Sequence, residues 1–417
     1  MARQKDKQWT ATGAARFARE ARIDTIRFLG TRPARLWEMN HLVNAYGAHL
    51  NHLRDHDSAM DVLVGLMGYP RPYPRNWEAI AEMFLADEAA TLAQADLYVL
   101  APSMCDVVIA AALTLTLEDL QLITEDDLPA LAGVIILPHP LIVRAIGGDL
   151  GDIRAFTWRS PVPLPSAATS PRDRPVTRFR LSVYNDSHGP VRPDSYLEFT
   201  ALCRASGVPL GPFIIDSMRT FPFNRVFSDG ARDEFDLYTR RTRDLGERFK
   251  ELEQARGLDE NRVEGDWYVP GSEIDDPDDL FAVKFLYAFW RLCAQRIAAS
   301  ELAPVTHSAQ VVADRAGVSA DARIVKLRRI ERKPTDEEKP IDWQHRWTVR
   351  MHKVRQWYPS EEVHKVIYRG PYVKGPEGRD TAKSFMRPGA ALACAAGRGR
   401  GGGWRRRCWS GLPGAGG

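Results

Sequence analysis

The 417-residue chain has only 5 cysteines, Cys105, Cys203, Cys293, Cys394 and Cys408, and none stands at a paired C-x-x-C spacing. That usage excludes a disulfide framework or a zinc ribbon and fits a reducing cytoplasm. No G-x-G-x-x-G or G-x-x-x-x-G-K-[ST] stands where a strand would meet a helix, so a nucleotide fold built on a glycine-rich phosphate loop has no support. The polar start MARQKDKQ lacks the apolar core of a signal peptide. The most apolar region, Leu128 to Gly148, is broken by Pro129, Pro138, Pro140 and Arg144, so no membrane span is expected. What remains is an ordinary globular composition, 44% hydrophobic and 27% charged, in a chain long enough for two or three domains.

Charge is also missing selectively. Residues 1–319 carry 35 Lys and Arg against 44 Asp and Glu, net −9, whereas residues 320–376 carry 14 against 8 and residues 377–417 carry 8 against 2, net +6 each. A near-neutral total hides a polarised chain. The basic part is densest from Trp343 to Pro376, where Trp347, Trp357, Tyr358, Tyr368 and Tyr372 stand among basic residues and only Glu361 and Glu362 are acidic.

Alternation makes this stretch a candidate β-hairpin. Arg346, Thr348, Arg350 and His352 would share one strand face opposite Trp347, Val349 and Met351, with a second strand at His364 to Arg369 and turn chemistry in Gln356 to Glu362. A further run, Arg323 to Arg332, is expected to add a third antiparallel strand. Basic side chains beside aromatics suit phosphate contact with base stacking. Arg346, Arg350, Lys353, Arg355, Lys365 and Lys374 are the candidate phosphate contacts, with Trp357 and Tyr358 available for stacking. The competing reading is a solvated basic face over core tryptophans.

Upstream, residues 11–29, 36–66 and 77–93 read as helices, the third with Asn76 as its cap. Strand candidates are Leu97 to Leu100, Gly133 to Leu137, Ile153 to Trp158, Phe179 to Tyr184 and Pro212 to Ile215. An apolar helix is expected from Leu280 to Ile297. The implied class is α+β: a helical and mixed amino-terminal domain at 1–160, a Pro- and Ser-rich linker at 161–175, and a mainly helical second domain at 176–304. A basic β module at 305–378 and a Gly- and Arg-rich tail at 379–417, expected to be disordered, would complete the chain. VVADRAGVS, within Ser308 to Arg329, resembles the start of a helix-turn-helix, but a capped helix ending at Gly317 and leading into a strand explains the same residues.

Two clusters invite a metal reading. Glu38, His41, His49, His52 and His56 fall within an arc of about 80° at helical period, and Glu38 to His41 and His52 to His56 have ligand-pair spacings. One helix rarely completes a site, so the alternative is a polar face with hydrogen-bonded histidines. The aspartates Asp275, Asp276, Asp278 and Asp279 precede an apolar helix, where acids favour the helix dipole.

The segment HRWTVRMHKVRQWYPSEEVHKVIYRGPYVKGP, together with EDDLPALAGVIIL, resembles hypothetical proteins common in actinobacterial genomes, with HRW-x-VR-x-H, QWYPS and PYVKGP patterns. The resemblance implies an intracellular protein often encoded near phage or plasmid genes, and it carries no catalytic residue across. The first expectation is therefore a cytoplasmic nucleic-acid-binding protein of a mobile element, a replication or regulatory factor with DNA or RNA as partner. A metal-dependent enzyme and a non-catalytic module with a protein partner are the alternatives.

Overall fold

The structure, a computed structural model, describes residues 9–50, 60–145 apart from 62, 66, 70, 71, 148–162, 178–223, scattered positions in 255–264, 273–328, and the short stretches 347–349, 352–358, 363–369 and 372–374. Helix α1 (Ala11–Leu29) starts where the Thr10 hydroxyl accepts from Gly13 N. Helices α2 (Arg32–Leu50) and α3 (Trp77–Gln94) follow, and Asn76 Oδ1 caps α3 by accepting from Ala79 N at 2.8 Å. Strand β1 (Asp96–Leu100) leads into α4 (Pro102–Ala112), whose start has proline but no side-chain cap. After the short α5 (Leu117–Leu120) come β2 (Ala132–Arg144), β3 (Leu150–Val162), β4 (Arg178–Asp186), α6 (Asp194–Ala205) and β5 (Phe213–Pro222). The chain continues through β6 (Ile274–Asp275), α7 (Phe281–Cys293), β7 (Ala298–Leu302), α8 (His307–Ala316) and β8 (Arg323–Leu327).

The strands form a mixed 8-stranded sheet in the order β5-β4-β3-β2-β1-β8-β7, with β6 beside β2. β1 runs parallel to both β2 and β8, β2 to β5 form an antiparallel meander, and β7 is antiparallel to β8. Both faces are covered, which explains why DLYVL and GVIIL read as apolar runs and not as alternating strands. Tyr98, Leu100, Ile135, Phe156, Trp158 and Phe179 face α4 and α7, with Phe285, Phe289 and Trp290 packed among them. Leu97, Val99, Val134, Ile136, Ala155 and Ile324 lie on the other face, under α1, α3 and α6. Helix α2 rests on α3 through a smaller core of Leu42, Leu63, Val64, Ile80 and Phe84.

One sheet takes strands from three parts of the sequence expected to be separate. β3 and β4 flank the expected linker at 161–175 and are hydrogen-bonded neighbours, so that stretch connects adjacent strands of one sheet. The run from Arg323 is not the third strand of a carboxy-terminal module; as β8 it lies beside β1. The reason is burial: Ile324 and Val325 point to opposite faces and are 4% and 0% exposed, a demand that a two-faced sheet meets and an exposed three-stranded module does not. Nor does a recognition helix follow α8. Gly317 closes it in the left-handed conformation at φ 67°, and the chain passes to β8.

Candidate nucleic-acid interface

Beyond the main sheet, four strands form two antiparallel pairs. β9 (Trp347–Val349) pairs with β12 (Tyr372–Lys374), and β10 (His352–Tyr358) pairs with β11 (Val363–Arg369). The hairpin expected from alternation, the Arg346 to His352 run against His364 to Arg369, is not the pairing observed: Trp347–Val349 pairs with Tyr372–Lys374, and the partner of Val363–Arg369 is His352–Tyr358, whose last three residues were expected in the turn. The β9–β12 pair lies beside α4.

The register divides the expected contact residues between two faces. Paired residues of an antiparallel ladder share a face, and neighbours along a strand alternate. Lys353 pairs with Tyr368, Arg355 with Val366 and Trp357 with His364, so these six occupy one face of the ribbon. Gln356 pairs with Lys365, Tyr358 with Val363, Val354 with Ile367 and His352 with Arg369, placing Tyr358 and Lys365 on the opposite face. The first face holds two cations, two aromatics and a histidine around a single aliphatic residue; the second contains Val354, Val363 and Ile367. Lys374 pairs with Trp347 in the β9–β12 pair and is exposed. Arg346 and Arg350 lie outside the described residues.

The histidine stripe is reached only in part. Glu38, His41 and His49 lie on α2, whereas His52 and His56 fall outside the described residues. Glu38 is 5% exposed, and burial, with the nearby Glu88 charge, pushes its carboxyl up to about 7. His41 meets Trp37 edge-on at 4.7 Å, and burial pushes its imidazole down to about 4. Among the described residues, no group of three or more His, Cys, Asp or Glu is placed to hold a metal ion.

The aspartates before α7 act on the helix start and on nearby cations. Asp276 Oδ1 accepts from Leu280 N at 2.9 Å and Phe281 N at 3.0 Å. Asp278 pairs with Lys284 at 2.7 Å, and Asp279 accepts from Arg219 Nη2 at 2.7 Å.

A buried polar network was not foreseen from the sequence. Glu88, on α3, is fully buried; its Oε1 accepts from Thr157 Oγ1 at 2.7 Å and Tyr184 OH at 2.5 Å. Arg180 on β4 is 3% exposed, lies 3.6 Å from Glu88 Oε2, pairs with Asp87 at 2.6 Å and donates to Tyr69 OH at 2.7 Å. Arg159 binds the other oxygen of Asp87. The signal was in α3, where Glu88 and Thr91 recur at helical spacing with Phe84, Leu85 and Leu92 on the buried face. The burial of Glu88 and Arg180 and the mutual pairing make this network a clamp between α3 and the sheet.

No protein-family model, curated protein or solved structure matches the chain. The mixed α/β fold and the ribbon register therefore carry the functional argument. No helix among the described residues is long and apolar enough to cross a membrane.

Proposed function

We propose that this chain is a cytoplasmic nucleic-acid-binding protein of a mobile genetic element, serving replication or regulation, and that the β10–β11 ribbon is its contact surface. One observation carries the reading: the cross-strand register groups Lys353, Arg355, Trp357, His364 and Tyr368 on a single face. Lysine and arginine supply attraction to phosphate that does not depend on sequence, and aromatic rings beside them offer stacking platforms for unpaired bases. The opposite face, with Val354, Val363 and Ile367, has the composition of a packing surface. Lys365 and Tyr358 belong there by register, and their part in binding is correspondingly smaller. The mobile-element assignment rests on the resemblance of the HRWTVRMH to PYVKGP segment to proteins encoded near phage and plasmid genes.

The test is fluorescence anisotropy of the full chain with labelled single-stranded DNA, duplex DNA and RNA across a salt series. The expected result is an affinity whose logarithm falls linearly with the logarithm of salt, with single strands preferred. No binding to any of the three at low salt overturns the proposal.

A further inference from the structure

A cavity of about 420 Å³ opens between α6 and the loop leaving β4. The loop is held from beneath. Asp186 Oδ1 accepts from His188 N at 2.9 Å, and the buried Asp152 carboxylate accepts from Val191 N at 3.1 Å. At Gly189 a Cβ would stand 2.0 Å from Asp152 Oδ2, so the close approach requires glycine. The Ser187 carbonyl then accepts from Arg192 Nη1 at 2.6 Å and from Tyr196 OH at 2.5 Å. Arg192 is fixed on the cavity wall with its guanidinium 5.2 Å from the Tyr196 ring centre.

One further feature points to a ligand. Arg204, in the last turn of α6, also lines the cavity and makes no ion pair among the described residues. Glu264, His188 and Thr200 also line the cavity, beside the apolar Leu197, Val208 and Leu210, so its charged groups are two arginines and one carboxylate. The volume lies within the roughly 300–1,000 Å³ usual for small-molecule sites.

We propose that this cavity binds a small organic anion, a carboxylate or phosphate monoester with a compact apolar body. Arg192 and Arg204 hold the charged group, and the body lies on Leu197 and Val208. The role is independent of the ribbon's, so either can fail alone.

The experiment is 19F NMR of the full chain with 4-fluorobenzoate, 4-fluorophenyl phosphate and neutral 4-fluorotoluene, with inorganic phosphate as competitor. Line broadening is expected for at least one anion and not for the neutral probe. Whichever anion binds more tightly identifies the charged group, and displacement by inorganic phosphate marks phosphate recognition. Arg204→Ala is expected to weaken binding about tenfold, with circular dichroism confirming the fold. Arg204 is exposed, so its removal leaves the packing intact. Broadening by neither anion, equal broadening by the neutral probe, or binding unchanged in Arg204→Ala overturns the proposal.

Discussion

Glu88 and Arg180 lie 3.6 Å apart inside the protein, one on α3 and one on β4, so an ion pair and its hydrogen bonds fasten a helix to the sheet. Removing one partner of a buried charge pair typically costs about 3–5 kcal/mol, because the other remains desolvated without compensation. Glu88→Ala also frees the hydroxyls of Thr157 and Tyr184. It is expected to lower the unfolding free energy by about that amount, and Glu88→Ala with Arg180→Ala is expected to cost less than the two separate losses together. Urea denaturation followed by circular dichroism measures both. Strict additivity would show that the pair is not coupled.

Gly133 and Trp158 form a second constraint across β2 and β3. They are register partners, and a Cβ at Gly133 would come within 2.1 Å of the indole ring. Trp158 cannot yield easily: it is fully buried, its Nε1 donates to the Ala130 carbonyl at 2.8 Å, and Phe289 and Trp290 flank it. Gly133→Ala is expected to destabilise by about 1–3 kcal/mol, the usual range for overpacking, with a changed near-ultraviolet circular dichroism signal from the moved indole. An unchanged melting temperature and spectrum would show that the ring has room to turn.

Local signals in the sequence located α1, α3, α7 and segments of β1 to β5, because a cap, a helical period or an apolar run is written within a few residues. Asn76 before Trp77 is one such signal. The assembly of these strands into one sheet was not legible in that way. β2 runs past Pro138 and Pro140, which marked a break in the sequence; the ladder accommodates them at an irregularity between Ile136 and Leu141. Arg180 alternates with Phe179 and Leu181 as a solvent-facing residue would, yet α3 covers that face and supplies Asp87 and Glu88 as partners. β8 finds β1 across more than two hundred residues of chain. For the candidate interface, composition marked the segment, but only the pairing register separates Lys353 and Arg355 from Lys365.

Stability is expected to fall as pH rises through the neutral range. The Glu38 carboxyl, ordinarily near 4.5, is pushed up to about 7 by burial and then by Glu88; Asp152, ordinarily near 3.8, is pushed up to about 8, chiefly by burial. Between those values the unfolded chain releases protons that the folded chain keeps, so this contribution is complete below about pH 4 and is lost by about pH 8. His41 acts in the opposite sense: burial pushes it from 6.5 down to about 4, and the unfolded chain gains its proton first as pH falls through that window. Glu38→Gln carries no charge to desolvate. Relative to the parent it is expected to gain on the order of 3 kcal/mol by pH 8 and to change little at pH 4. Denaturation midpoints across pH 4–8 check this, and a pH-independent difference would remove Glu38 as the source.

The ribbon register gives the sharpest expectation for binding. Lys353 and Arg355 share a face with Trp357, His364 and Tyr368, whereas Lys365 shares the other with Val354 and Ile367. A surface that binds by composition alone would lose affinity equally with any of these cations. A surface that binds through one face would not. Lys353→Ala with Arg355→Ala is expected to reduce the salt slope for single-stranded DNA by roughly 1.4, about 0.7 for each phosphate left without its cation. Lys365→Ala is expected to leave the slope nearly unchanged, and Trp357→Ala to weaken binding by about 1–3 kcal/mol without altering the slope, as loss of stacking should. The arginines of residues 377–417 are present in every variant, so they cannot produce a difference between faces. Equal losses from Lys365→Ala and Arg355→Ala in the same titration would mean that charge density, and not the ordered face of the ribbon, accounts for any binding.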